Sequence, residues 1–274
     1  MNKIAGGGKF MKLSVSNIAW TAEQDTYAYD LMKKYGYCGL EVAPTRIFLE
    51  NPYNKKSDAT AWLYNLRKKY GFFVSSMQSI WFGRTESMFG SEKEREILID
   101  YTKKAIDFAM VLDCKNIVFG CPKNRNLPIG VSTDIAIKFF KEIGDYAAER
   151  GTVIGMEANP QIYGTNYIND TLSAIELINA VNSKGFLLNL DIGTIIHNEE
   201  NIVDIINHVH IINHVHISEP FLEPIEKRRM HLELKKILTE KKYKGWISIE
   251  MGRVDSLQIL NDKMQYVWEI FKDS

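Results

Sequence analysis

The segment "IINHVHIINHVHISEP" (residues 205–220) repeats one hexapeptide before it breaks at Ser218, and it holds four of the chain's six histidines. Around it, short β-rich runs alternate with longer segments of helical period, eight times in all. The strand candidates are residues 12–20, 38–43, 72–80, 116–120, 152–157, 186–191, 213–218 and 246–251. Most of the amphipathic segments between them end in glycine after a lysine or arginine, a usual helix stop. Strands alternating with helices imply parallel βαβ units. Eight units in about 260 residues fit a single closed (β/α)8 barrel, α/β in class, better than an open doubly wound sheet. The open sheet would need a Gly-rich phosphate turn after its first strand, and "SNIAWTAEQD" (16–25) has none.

Barrel spacing separates the two hexapeptides. If the sixth strand ends at Asp191, taking the first copy as the seventh leaves about 13 residues for loop and helix, the lower limit of such a crossover. The second copy leaves nearly 20 by the same reckoning. The second copy is therefore predicted to be the strand. The helix runs through "NEENIVDIIN" (198–207), and the first copy supplies its last turn and the turn into the strand. Side chains alternate with period two, which places His214 and His216 on one face, the barrel interior. His208 and His210 fall near the helix end, where histidine suits the carbonyl dipole.

Formal net charge is zero, with 34 basic and 34 acidic residues. That opposes a duplex nucleic-acid binder, which needs cations against phosphates. Three cysteines (Cys38, Cys114, Cys121) form no disulfide pattern, so a reducing, cytoplasmic setting is expected. No apolar run approaches the ~20 residues of a membrane span. Residues 1–10 lack the apolar segment of a signal peptide and read as a loose leader to one domain over 11–274.

Strands five to eight end in Glu157 ("GMEANP"), Asp191 ("LNLDIG"), His216 ("HVHISEP") and Glu250 ("SIEMGR"). A barrel carries its chemistry at this end. Three carboxylates buried together without a cation would be costly, and a divalent ion relieves their repulsion. An oxygen-rich set with one imidazole favours Mn²⁺ or Mg²⁺, with Co²⁺ or Zn²⁺ also compatible. Substrate contacts are expected from Gln78 and Trp81 after strand three, and from Lys123, Asn124 and Arg125 in "FGCPKNRN" after strand four. His214, Glu219, His231 and Arg253 complete that set, and Glu41 ends strand two.

On "MEANP", "NLDIG", "HVHISEP" and "SIEM", the chain from Met11 onward resembles the xylose-isomerase-like TIM barrels. These are sugar and sugar-phosphate isomerases and epimerases, with endonuclease IV in the same superfamily. The resemblance to the ketose 3-epimerase branch implies one divalent ion bound by Glu157, Asp191, His216 and Glu250. It further implies that the two glutamates are the acid/base pair, moving a proton α to a carbonyl through a metal-stabilised enediolate. Three substrate-contact positions depart from that branch: Tyr163 replaces a glutamate, Thr194 a histidine and Leu222 an arginine. A simple free ketose therefore does not follow. The expected partner is a small sugar or sugar phosphate, without nucleic acid or membrane, and a homo-oligomer is compatible. An inosose-type dehydratase or a non-catalytic sugar-binding barrel are the alternatives. An endonuclease IV-like trinuclear zinc site is opposed, since no histidine precedes His197.

Overall fold

Eight strands pair in parallel in chain order, and the last closes onto the first. They are β1 (Lys12–Ser16), β2 (Gly39–Val42), β3 (Phe73–Met77), β4 (Ile117–Phe119), β5 (Ile154–Met156), β6 (Phe186–Asp191), β7 (Ile212–Ile217) and β8 (Trp246–Ile249). Closure runs from the Lys12–Trp246 pair to the Val15–Ile249 pair. The computed structural model describes residues 11–272, so the expected leader at 1–10 lies outside the described residues. The (β/α)8 barrel expected from the alternation is the fold observed.

The outward face of each strand is aliphatic or aromatic: Leu13, Val15, Leu40, Val42, Val215, Ile217, Ile247 and Ile249 are all buried against the returning helices. Those helices include Lys56–Tyr70, Glu92–Val111, Asp134–Glu149, Arg229–Glu240 and Leu257–Phe271. Local chemistry sets their ends. Ser91 and Glu94 form a reciprocal capping box at the start of Glu92–Val111. Gly71 closes Lys56–Tyr70 at φ +76°, a left-handed conformation that glycine adopts without strain. Between sheet and helices, Phe119 meets Trp81 and Phe140 edge to face, while Phe140 stacks on Phe186.

The inward face is polar. Ser14 Oγ lies 2.5 Å from Ser75 Oγ and takes a 3.3 Å contact from Ser248. Asn116 Nδ2 donates to Ser76 and to Asn189 Oδ1. Interior groups of this kind are tolerated because they satisfy one another. The β2–β3 register shifts by one residue between the Leu40–Val74 and Glu41–Ser76 pairs, just before the end of β2.

The crossover from β6 to β7 confirms the second hexapeptide as strand and corrects the form of the first. A helix, Ile192–His197, follows β6 directly. Next come two 3₁₀ segments, Ile202–Asn207 and Val209–Ile211, where one α-helix was expected through residue 207. Glu199, at φ +55°, turns the chain between the helix Ile192–His197 and the first 3₁₀ segment. The apolar residues explain the tighter winding: Ile202 and Ile205 are buried three apart, the spacing that a 3₁₀ turn superimposes.

Candidate metal centre and its cavity

Asp191 closes β6, His216 lies on β7, and Glu157 and Glu250 follow directly after β5 and β8. Their ligand atoms all lie within 4.8 Å of one another. His216 Nδ1 stands 3.0 Å from Glu157 Oε1 and 3.1 Å from Glu250 Oε2. Donors bound octahedrally at about 2.1 Å sit about 3 Å apart along an edge, so these separations suit a hard divalent cation. The four residues therefore fit the ion that their chemistry implies.

The electrostatics point the same way. Burial pushes the Asp191 carboxyl up to about 6, with the Glu157 charge adding to it and His216 opposing. Burial likewise pushes Glu250 up to about 7, with His216 opposing and the charges of Glu157 and Glu41 adding. Burial alone would lower His216, but Glu250 and Glu41 raise it well above the usual imidazole range. Such a cluster is short of positive charge.

Neighbouring side chains hold the carboxylates in place. Asn189 Nδ2 donates to Glu157 Oε1 at 2.8 Å, and Asn159 Nδ2 donates to Glu157 Oε2 at 3.1 Å. Ser218 Oγ donates to Asp191 Oδ2, while Asp191 Oδ1 caps the following helix by accepting from the Thr194 N–H at 2.6 Å. A Cβ on Gly120 would come within 3.0 Å of Glu157 Oε2, so a glycine there leaves the carboxylate its room. Asn189 and Ser218 were not singled out from sequence. Each lies two residues from a predicted ligand on a strand or its extension, and period two could have found both.

A cavity of about 590 Å³ opens at this end of the barrel, lined among others by Gln78, Phe82, Lys123, Asn159, Glu157 and Glu250. The two glutamates border it, whereas Asp191 and His216 are not among its lining residues. A cavity of about 620 Å³ at the opposite end takes His210, Lys12 and Lys242 into its wall and has no carboxylate–imidazole cluster. The first hexapeptide is thus at the far end of the barrel from the second copy's His216.

The expected substrate contacts divide. Gln78 and Lys123 line the cavity. Asn124 reaches it too, but its amide donates to the carbonyls of Arg84 and Glu86 and braces the loop. Trp81 lines the cavity with one edge, but it is 3% exposed, donates to Thr102 Oγ1 and packs on Phe119 and Phe139, so most of its ring serves the core. Arg125 departs from expectation. It is fully buried, and its guanidinium donates to Glu157 O, Asn159 Oδ1 and Ile168 O, leaving it to shape the loop that carries Glu157. His231 departs as well: it is buried on the helix Arg229–Glu240, with Nδ1 2.9 Å from Tyr266 Oη. Glu219 accepts from the Arg228 guanidinium and from the Glu226 N–H, bracing the loop after β7. Arg253 is exposed and forms no ion pair with Glu250 among the described residues. His214 is buried beside His216 at a ring separation of 5.2 Å.

Two of the three positions that depart from the ketose 3-epimerase pattern contact neighbouring loops. Thr194 Oγ1 donates to Ala158 O, and Tyr163 Oη accepts from the Phe221 N–H.

Solved structures share this architecture at low identity. A 3-keto-D-glucoside 4-epimerase from E. coli superimposes with a TM-score of 0.73 at 18% identity, covering 94% of this chain and 98% of the other. A D-psicose 3-epimerase from Clostridium cellulolyticum H10, solved with D-tagatose, gives 0.76 at 13% identity over 96% and 100%. An AP endonuclease of family 2 from Brucella melitensis gives 0.70 at 20% over 96% and 100%. No curated protein matches the sequence. The family model described as the xylose isomerase-like TIM barrel matches residues 29–269, nearly the whole barrel, and the chain belongs to that family.

Proposed function

We propose that the protein is a divalent-metal-dependent isomerase or epimerase of a sugar or sugar phosphate, acting by proton transfer α to a carbonyl. The observation that carries this reading is the convergence of Glu157, Asp191, His216 and Glu250, with only the two glutamates facing the cavity. A divalent ion held there, Mn²⁺ or Mg²⁺ by its oxygen-rich donors, supplies Lewis acidity toward a carbonyl and its neighbouring hydroxyl. Asp191 and His216 hold position from within the wall. Glu157 and Glu250, arriving from β5 and β8, can reach opposite faces of a substrate lying between them. One removes the α-proton and the other returns a proton, inverting that carbon if it acts from the far side. Gln78, Lys123 and Asn159 offer polar contacts to hydroxyls or an anion along the wall. The barrel relatives named as sugar epimerases support a sugar substrate, and the chain's zero net charge supports the absence of a nucleic-acid partner.

The test is metal content by mass spectrometry, followed by solvent-deuterium exchange into ketoses, ketose phosphates and inososes. Exchange is expected with the metal-loaded chain and should fall by at least about 100-fold in Glu157→Gln and Glu250→Gln. Undiminished exchange in both variants would refute the assignment of the pair. Water loss from the substrate without deuterated starting material would indicate a dehydratase instead.

A further inference from the structure

Glu41 is the penultimate residue of β2, across the barrel from β7, and has no solvent exposure. Its Oε2 lies 2.8 Å from His216 Nε2 and 3.1 Å from His214 Nε2. Its Oε1 accepts from Gln78 Nε2 at 2.9 Å, and the same amide donates to Ser16 Oγ at 2.7 Å. A chain of contacts thus runs from the cavity wall through Gln78 and Glu41 to His216, whose other ring nitrogen faces Glu157 and Glu250.

An imidazole that gives its Nε2–H to a carboxylate leaves Nδ1 with a free lone pair, the form a metal ligand needs. A buried carboxylate on the second nitrogen also fixes the ring's rotation and raises the basicity of the first. We infer that Glu41 is a positioning residue: it holds His216 as the Nε2–H tautomer, aims Nδ1 at the carboxylate cluster, and thereby sets metal affinity. The inference rests on the metal reading given above. His214 shares the same carboxylate oxygen, and among the described residues neither of its ring nitrogens forms a hydrogen bond of good geometry. It packs edge-on against His216 and limits the ring's freedom.

The same three donors, Glu41, His214 and His216, are close enough to hold a cation of their own. That is the rival arrangement, in which His216 would bridge two ions. The two differ in stoichiometry and in the proton on Nε2.

The experiment uses the full chain stripped of metal. Calorimetric titration with Mn²⁺ should give one equivalent for the wild type, and Glu41→Gln should raise Kd about 10- to 100-fold with its thermal midpoint little changed. Independently of any change at Glu41, ¹⁵N NMR of the histidine-labelled chain loaded with Zn²⁺ should show His216 Nε2 protonated, with its resonances assigned by their persistence in single Asn variants of the other five histidines. Wild-type affinity in Glu41→Gln, or an unprotonated Nε2 in the loaded chain, overturns the role of Glu41 while leaving the metal reading intact. Two equivalents in the wild type falling to one in Glu41→Gln overturns it in favour of the second cation. A wild-type chain that takes up neither ion refutes the metal reading and this inference with it.

Discussion

His231 makes the stability of this barrel depend on pH in a direction that can be worked out. The imidazole is buried on the helix Arg229–Glu240, and burial pushes it down to about 4, with the Glu219 charge opposing and Arg228 adding. The ring is therefore neutral at neutral pH. Tyr266 Oη takes the Arg228 N–H and lies 2.9 Å from Nδ1, while Nε2 has no hydrogen-bond partner among the described residues. In the unfolded chain the same histidine titrates near 6.5. Between the two values the unfolded state holds more protons, so stability present above about pH 6.5 is lost as pH falls toward 4, and no further loss follows below that. The full span is about 3 kcal/mol, of which the step from pH 7 to pH 5 removes about 2 kcal/mol. For a chain of this length that corresponds to about 4–8 °C in thermal midpoint. The assay is urea unfolding of the wild type and of His231→Gln at half-unit steps from pH 7 to pH 4.5. Other titrating groups cancel in the difference between the two curves. The wild type should lose about 2 kcal/mol more than the variant between pH 7 and pH 5. Parallel curves would show that His231 titrates alike in both states and would refute the reasoning.

Three further outcomes are expected. Arg125→Met should destabilise by about 2–4 kcal/mol in urea unfolding, since three buried acceptors lose a charged donor; a loss below about 0.5 kcal/mol would return Arg125 to the exposed, ligand-facing role. His216→Ala should abolish metal uptake measured by mass spectrometry while His210→Ala leaves it at the wild-type level, and the reverse pattern would overturn the assignment of the two hexapeptides. Gly185→Ala should cost about 3 kcal/mol, because its Cβ would come within 2.0 Å of Gly144 O and 2.6 Å of Ala148 N, backbone atoms of the helix Asp134–Glu149 that cannot rotate away.

Pattern along the chain set the order of the eight strands but not every strand end: the runs 12–20 and 72–80 stop as strand at Ser16 and Met77. Periods of two and of about 3.6 are local properties, written in consecutive residues. Crossover length is nearly as local, and it sufficed to assign the second "NHVH" to β7 and to put His214 and His216 on one interior face. Once eight parallel strands were expected, Glu157, Asp191, His216 and Glu250 fell at equivalent strand ends without any knowledge of distances. The tertiary structure decided what each side chain touches. Glu41 and His216 are 175 residues apart, and their contact exists only because barrel closure brings β2 and β7 to face one another. Arg125 and His231 sit in segments that pattern alone reads as exposed loop or helix start. Their burial depends on how the chain folds back over them, with Glu157 O and Ile168 O reaching one and Tyr266 the other. The winding of residues 202–211 was likewise set by what packs beneath Ile202 and Ile205 rather than by helix propensity. Periodicity fixes which face a residue takes, but a side chain's partners are non-local, and only the closed barrel supplies them.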